Sequence, residues 1–276
     1  LLIEPSMLIS VRHVTHYRYA EPVSYTIQSL RLTPQSFEGQ RVLDWRVLGG
    51  GARPALQFTD GCSNVVQLLT IHARHQELVI EAAGTVETRD SNGVVAGLAK
   101  GAPPRVFLKE TAQTRPDAAI RGLAEAIEGK DALARLHALV GAVRERVAYV
   151  PGATGRYTSA AEALADGKGV CQDHAHIFIA AARTLGIPAR YVTGYLVLDD
   201  AKTAPAHHAW AEAWVEGLGW VGFDVANGIC PTVGYVRLAC GLDAGYAAPI
   251  IGSRRGGESE MLEVAVTVEQ QQTAQQ

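Results

Sequence analysis

Gly169-Val170-Cys171-Gln172-Asp173-His174-Ala175-His176 leads into a strongly apolar run that stops at Leu185-Gly186-Ile187-Pro188. The run, with glycine and proline beyond it, predicts a helix over about residues 172–185. Cys171 then stands at a helix start. There the peptide dipoles and unpaired N–H groups favour a thiolate, the form of cysteine that attacks carbonyl carbon. Gly169, lacking a side chain, is expected to let the backbone approach a substrate closely. Many inert cysteines begin helices. A nucleophile needs two more groups: a base, and a group that orients the base.

Downstream the period changes to two. Residues 189–197, 209–215 and 219–225 alternate like strands, with Gly217-Leu218-Gly219 between the last two. His208 begins one of these strands and Asp224 ends the next. They share a face if the turn has an odd number of residues, and the expected turn is Gly217-Leu218-Gly219, joining Glu216 to Trp220. A carboxylate on one imidazole nitrogen fixes the tautomer and leaves the other nitrogen for a thiol. His207 competes with His208, because neighbours on a strand point to opposite faces, and the residues alone do not rank the two. Singly, His208 and Asp224 read equally well as polar strand ends; the three residues together point to catalysis. Metal binding by the Cys171–His176 segment is disfavoured, since histidines two apart on a helix diverge by roughly 200°. His13, His16, His72, His75 and His137 fall in regular patterns and read as structural. Trp210, Trp214 and Trp220 read as core, and Arg254-Arg255 as a solvated loop.

Upstream, Thr114-Arg115-Pro116-Asp117 starts a helix whose apolar side is Ala119, Leu123 and Ile127. A second begins at Asp131 and carries Leu133, Leu136, Val140, Val143 and Val147 at helical spacing. Ser159 and Glu162 form a capping box for a short helix ending at Asp166-Gly167. From Ile9 to Arg89 the chain alternates, as in Val11, His13, Thr15, Tyr17 and Tyr19. Asp60-Gly61 and Ser91-Asn92-Gly93 punctuate it as turns, a pattern for a β layer. The organisation expected is α+β: a sandwich-like N-terminal β domain over 1–96, a linker over 97–115, a core of helices on an antiparallel sheet over 116–257, and a strand with a polar tail over 258–276.

The 276 residues are 47% hydrophobic, enough to bury a real core. Lys and Arg number 25 against 28 Asp and Glu, so there is no basic footprint and nucleic acid is not an expected partner. No apolar run reaches the roughly 18 residues of a membrane span, and Leu1–Met7 does not read as a signal peptide. The four cysteines, Cys62, Cys171, Cys230 and Cys240, show no CxxC spacing and are expected to be reduced, in the cytoplasm.

Three ordered blocks now carry a resemblance. Gly169–His176 with Leu185–Val192, His208-Ala209-Trp210-Ala211-Glu212-Ala213-Trp214, and Gly219-Trp220-Val221-Gly222-Phe223-Asp224 resemble the bacterial transglutaminase-like superfamily. The β-rich start, with Tyr17-Arg18-Tyr19, Leu30-Arg31-Leu32-Thr33-Pro34 and Gly39–Trp45, resembles the N-terminal domain that accompanies it. The resemblance implies a papain-like core and a triad of Cys171, His208 and Asp224, which decides against His207. Val225-Ala226 departs from the family's usual Pro-Thr after the aspartate, and Asp60–Asn64 from an aromatic-Gly-Asn turn. The activity implied is acyl transfer from an amide of a protein or peptide through a thioester, with no metal or organic cofactor. Hydrolysis by a cysteine peptidase or amidase is the expected outcome. Transfer to an amine is the alternative, and a catalytically silent binding module the rival of another class.

Overall fold

The computed structural model describes residues 6–50, 54–197 and 207–271. Residues 1–5 of the stretch read above against a signal peptide, and most of the polar C-terminal tail, lie outside the described residues.

The alternation at the start becomes one strand of 28 residues, β1 (Ser6–Thr33), with Val11, His13, Thr15, Tyr17 and Tyr19 all facing inward. β2 (Gln40–Gly49), β3 (Leu56–Thr59), β4 (Val65–Ile71) and β5 (His75–Arg89) follow and pair in the order β2-β5-β1-β4-β3. The short β6 (Val94–Val95) leaves this sheet and pairs with Trp220 and Val221 of the core instead.

The core begins with α1 (Ala118–Glu125) and α2 (Ala132–Arg146). Asp117 and Asp131 cap them, each carboxylate accepting an N–H three residues on, from Ile120 and Ala134. The buried side of α1 is Ile120, Leu123 and Ala124; Ala119 is exposed, and Ile127 lies beyond the helix but packs against the same core. β7 (Ala148–Tyr149) precedes α3 (Ala160–Asp166), whose capping box is formed and which ends at Gly167 with φ 65°. β8 (Lys168–Gly169) runs parallel to β7 and delivers the chain to α4 (Cys171–Thr184). Then come β9 (Ala189–Leu196), β10 (His207–Val215), β11 (Gly219–Phe223) and β12 (Tyr235–Gly241), in the sheet order β12-β9-β10-β11-β6.

Helix α4 lies on this sheet. Its Ile177, Phe178 and Ile179 pack with Leu136, Leu139 and Val143 of α2 and with Ala209, Ala211 and Ala213 of β10. Cutting Leu136 or Leu139, both fully buried, to alanine would cost about 2–5 kcal/mol. On the far face Glu212 sits between Arg190 and Arg237, 2.6 and 2.7 Å away, and burial is overcome so that its carboxyl falls to about 2.

Two segments cross the boundaries drawn from the sequence. β13 (Ile250–Gly256) and β14 (Glu260–Gln270) both return to β1, completing a seven-stranded sheet with the N-terminal strands. Hydrogen bonds thus make the N-terminal region one sheet. The facing layers of the molecule are this sheet and the core sheet, with Ile9, Val11 and Leu30 in one cluster with Tyr195, Val236 and Leu238. The stretch read as a linker is docked on the core: Phe107 is buried with its ring edge-on to Trp220, and Arg183 donates to Phe107 O and Thr114 Oγ1.

Candidate active site

Cys171 is the first residue of α4, half-buried, one step after the β7–β8 pair. That position is held from several sides. Asp173 Oδ2 accepts from the Val170 N–H at 2.8 Å and from the Thr154 hydroxyl at 2.5 Å. The Gly169 Cα lies against the same side chain, where a Cβ would stand 2.7 Å from that of Asp173. The glycine therefore makes room for this capping carboxylate. His174 places its ring nitrogens 2.9 and 3.0 Å from the carbonyls of Val170 and Val147, fastening the helix start to the end of α2. His176 points elsewhere and accepts the Ala244 N–H, so the two histidines do not converge.

Across from the helix start is His208, paired with Gly194 of β9. A Cβ on Gly194 would stand 2.6 Å from Trp210 Cη2, so the glycine lets that indole lie over β9, stacked beside the His208 ring. His208 Nε2 is 2.6 Å from Asp224 Oδ2. The turn that brings them together has an odd length, but it is Glu216-Gly217-Leu218, one residue earlier than expected, with Val215 paired to Gly219. Gly217 and Gly219 take φ of 85° and 86°, the left-handed region that glycine favours. His207 turns to the other face and meets Thr193 Oγ1 at 2.8 Å.

The electrostatics follow the geometry. Burial disfavours the charged imidazole, yet hydrogen bonds to Asp224 and to Cys171, with their negative charge, prevail and raise His208 to about 10. Nε2 faces Asp224, which leaves Nδ1 for the thiol. Burial likewise works against the Asp224 carboxylate, but His208, the Tyr235 hydroxyl and Asn227 hold it below its ordinary value. Tyr235 Oη donates at 2.6 Å and Asn227 Nδ2 at 2.7 Å, both to the oxygen that faces His208. The centre thus favours the protonated imidazole of His208 against the Asp224 carboxylate. The other thiols are placed differently. Burial raises Cys230, and a hydrogen bond between Cys62 and Cys240 pushes the first towards thiol and the second, wholly buried, towards thiolate.

Residues 121–225 match the Transglutaminase-like superfamily, and residues 9–87 match the Bacterial transglutaminase-like N-terminal region. An uncharacterized Mycobacterium leprae protein, ML0607, is 31% identical over 94% of this chain and 97% of its own length. The chain belongs to the transglutaminase-like superfamily. A Mycobacterium tuberculosis relative, the uncharacterized protein Rv2569c, is 28% identical over 94% of this chain and 91% of its own. The fold is shared with a candidate cysteine protease from Cytophaga hutchinsonii, at a TM-score of 0.77 and 24% identity, covering 99% of this chain and 93% of the other.

In this transglutaminase-like chain the sequence reading missed Tyr235 and Asn227. Asn227 carried a signal: an aspartate followed three residues on by Asn-Gly marks a side-chain-closed turn, and the Asn227 N–H does donate to Asp224 Oδ1 at 3.1 Å. Tyr235 carried none, because it comes from a strand that reaches Asp224 only through the fold. Among the described residues no helix is long and apolar enough to cross a membrane.

Proposed function

We propose that this protein is a cysteine-dependent enzyme that cleaves amides through a thioester, with water as the usual acceptor. The supporting observation is the His208–Asp224 hydrogen bond, with Cys171 as the second partner of the same imidazole. Cys171 Sγ attacks the carbonyl carbon of a peptide bond or glutamine carboxamide. The oxyanion that forms lies at the start of α4, where the Cys171 N–H is the natural donor. As the intermediate collapses, His208 gives its proton to the departing nitrogen and a thioester remains. His208 then takes a proton from water as the water attacks, the acid is released, and the thiolate returns. Asp224 keeps the imidazole oriented and its positive charge balanced throughout. Amine in place of water would yield transfer by the same groups.

The test is incubation with a peptide library, with and without an added primary amine, read by mass spectrometry. Cleavage or deamidation that disappears with Cys171→Ala is expected. Products carrying the amine at the expense of hydrolysis would reassign the acceptor. Absence of any product, in folded protein whose Cys171 fails to react with a haloacetamide at neutral pH, would mean a silent binding module.

A further inference from the structure

Cys62 and Cys240 are distant in sequence and belong to the two facing sheets. Cys62 sits in the turn between β3 and β4, and Cys240 is the last residue but one of β12. The turn has a fixed shape. Asp60 Oδ1 accepts the N–H groups of Cys62 and Asn64, each at 2.9 Å, and Arg31 donates to the other carboxylate oxygen at 3.1 Å. From this turn Asn64 reaches across to β12. Its Nδ2 donates to Cys240 O and its Oδ1 accepts the Cys240 N–H, both at 2.8 Å. Both main-chain groups of Cys240 are thus fastened to the residue two beyond Cys62.

That clamp brings the two thiols together. Cys240 Sγ lies 3.4 Å from Cys62 O, and the Cys62 side chain packs on the cluster of Val192, Trp210, Tyr235 and Cys240. The hydrogen bond from the Cys62 thiol biases Cys240 towards thiolate; burial opposes this, and the charges of Arg190 and Arg237 support it. The two sulfurs differ in access. Cys240 is wholly buried, whereas Cys62 is half-buried and gives the pair its opening to solvent. Neither takes part in the reaction at Cys171.

We propose that Cys62 and Cys240 form an oxidation site, at which hydrogen peroxide makes a disulfide tying the N-terminal sheet to the core and a dithiol reverses it. Cys62 Sγ attacks one peroxide oxygen. The O–O bond breaks, the departing oxygen takes the thiol proton and leaves as water, and Cys62 becomes a sulfenic acid. Cys240, as thiolate, then attacks the Cys62 sulfur. The S–O bond breaks, and the hydroxide released takes up a proton to become the second water. Two thiols have lost two electrons and two protons, which the peroxide has gained. Burial suits Cys240 to the second step, since its target is the sulfur beside it and not the oxidant.

Folded wild-type protein is treated with a few equivalents of hydrogen peroxide at pH 7, then denatured in iodoacetamide and digested without reductant for mass spectrometry. A peptide pair cross-linked through Cys62 and Cys240 should appear, from a chain that still runs as a monomer, and should vanish after dithiothreitol. The cross-linked form should have a thermal midpoint several degrees higher, because the bond closes a loop of about 180 residues in the unfolded chain. In Cys240→Ala the first step has no successor, so dimedone should label Cys62 as the sulfenic acid. If that variant does not fold, the wild-type map decides alone. Cys62 and Cys240 both alkylated as in untreated protein, Cys62 joined to any other cysteine, or a cross-link that forms only above the thermal midpoint overturns the proposal. So does folded Cys240→Ala in which Cys62 takes no dimedone.

Discussion

Val215 pairs with Gly219 across the turn between β10 and β11, and that register places Asp224 on the same face of the sheet as His208, sixteen positions earlier. Side chains alternate along both strands, so the parity of the turn decides which face Asp224 occupies. Inserting one glycine after Gly217 should turn Asp224 away and lower the rate by roughly 10³–10⁴, the scale of losing the orienting acid of such a triad. Inserting two should recover much of it. Comparable activity in the two insertion variants, with circular dichroism unchanged, would separate the turn from the site.

Cys171→Ala should abolish turnover and leave the thermal midpoint nearly unchanged, because a half-buried helix-start residue loses little packing. Cys62→Ala, Cys230→Ala and Cys240→Ala should each keep the rate within a few-fold wherever the variant folds. A second cysteine as essential as Cys171 would undo the assignment.

The paired histidines divide in the same way. His208→Ala should cost about 10³-fold or more in kcat. His207→Ala should leave kcat within a few-fold and act, if at all, through KM, since its ring faces the Thr193 hydroxyl. Steady-state kinetics on both variants, with any substrate found by the library, decides between them.

The charge state of His208 sets a pH dependence. Its folded value is raised from 6.5 to about 10, so the folded protein holds this proton more tightly than the unfolded chain. The stabilisation is complete below about 6.5 and is lost as pH rises towards 10. The thermal-midpoint gap between wild type and His208→Gln should therefore narrow between pH 7 and pH 10. Activity should show its alkaline limb near 10; a limb near neutrality would contradict the raised value.

Tyr235→Phe removes one donor from the Asp224 oxygen that faces His208, and Asn227→Ala removes another. A hydrogen bond to a charged group contributes about 1.5–3 kcal/mol. Loosening Asp224 by part of that should lower kcat roughly ten-fold in each variant. An unchanged kcat and pH profile in Tyr235→Phe would show that His208 alone positions the carboxylate.

Part of the candidate site was legible in local pattern: a cysteine opening an apolar helix, and an aspartate ending a strand two strands on; pattern left His207 and His208 unranked, and the resemblance chose between them. The alternation of β1 was legible for the same reason, residue by residue from Val11 to Tyr19. What periodicity could not say was where a strand pairs. Met261–Val268 reads as a strand, but nothing local shows that its partner is β1, more than two hundred residues away. The packing of Gly169 against Asp173 was not legible either, because the collision any Cβ would make there appears only once the first helical turn is built.

The pairing of β1 with β14 also has a consequence for biosynthesis. One edge of β1, from Ile9 to Arg18, is closed by β5, which follows within the first ninety residues, but the other edge, from Ile9 to Tyr19, waits for residues 260–270. While the ribosome makes the intervening core, that edge is an open row of peptide donors and acceptors, able to pair with any other extended chain. That edge stays open to mispairing during synthesis until β14 emerges and closes it.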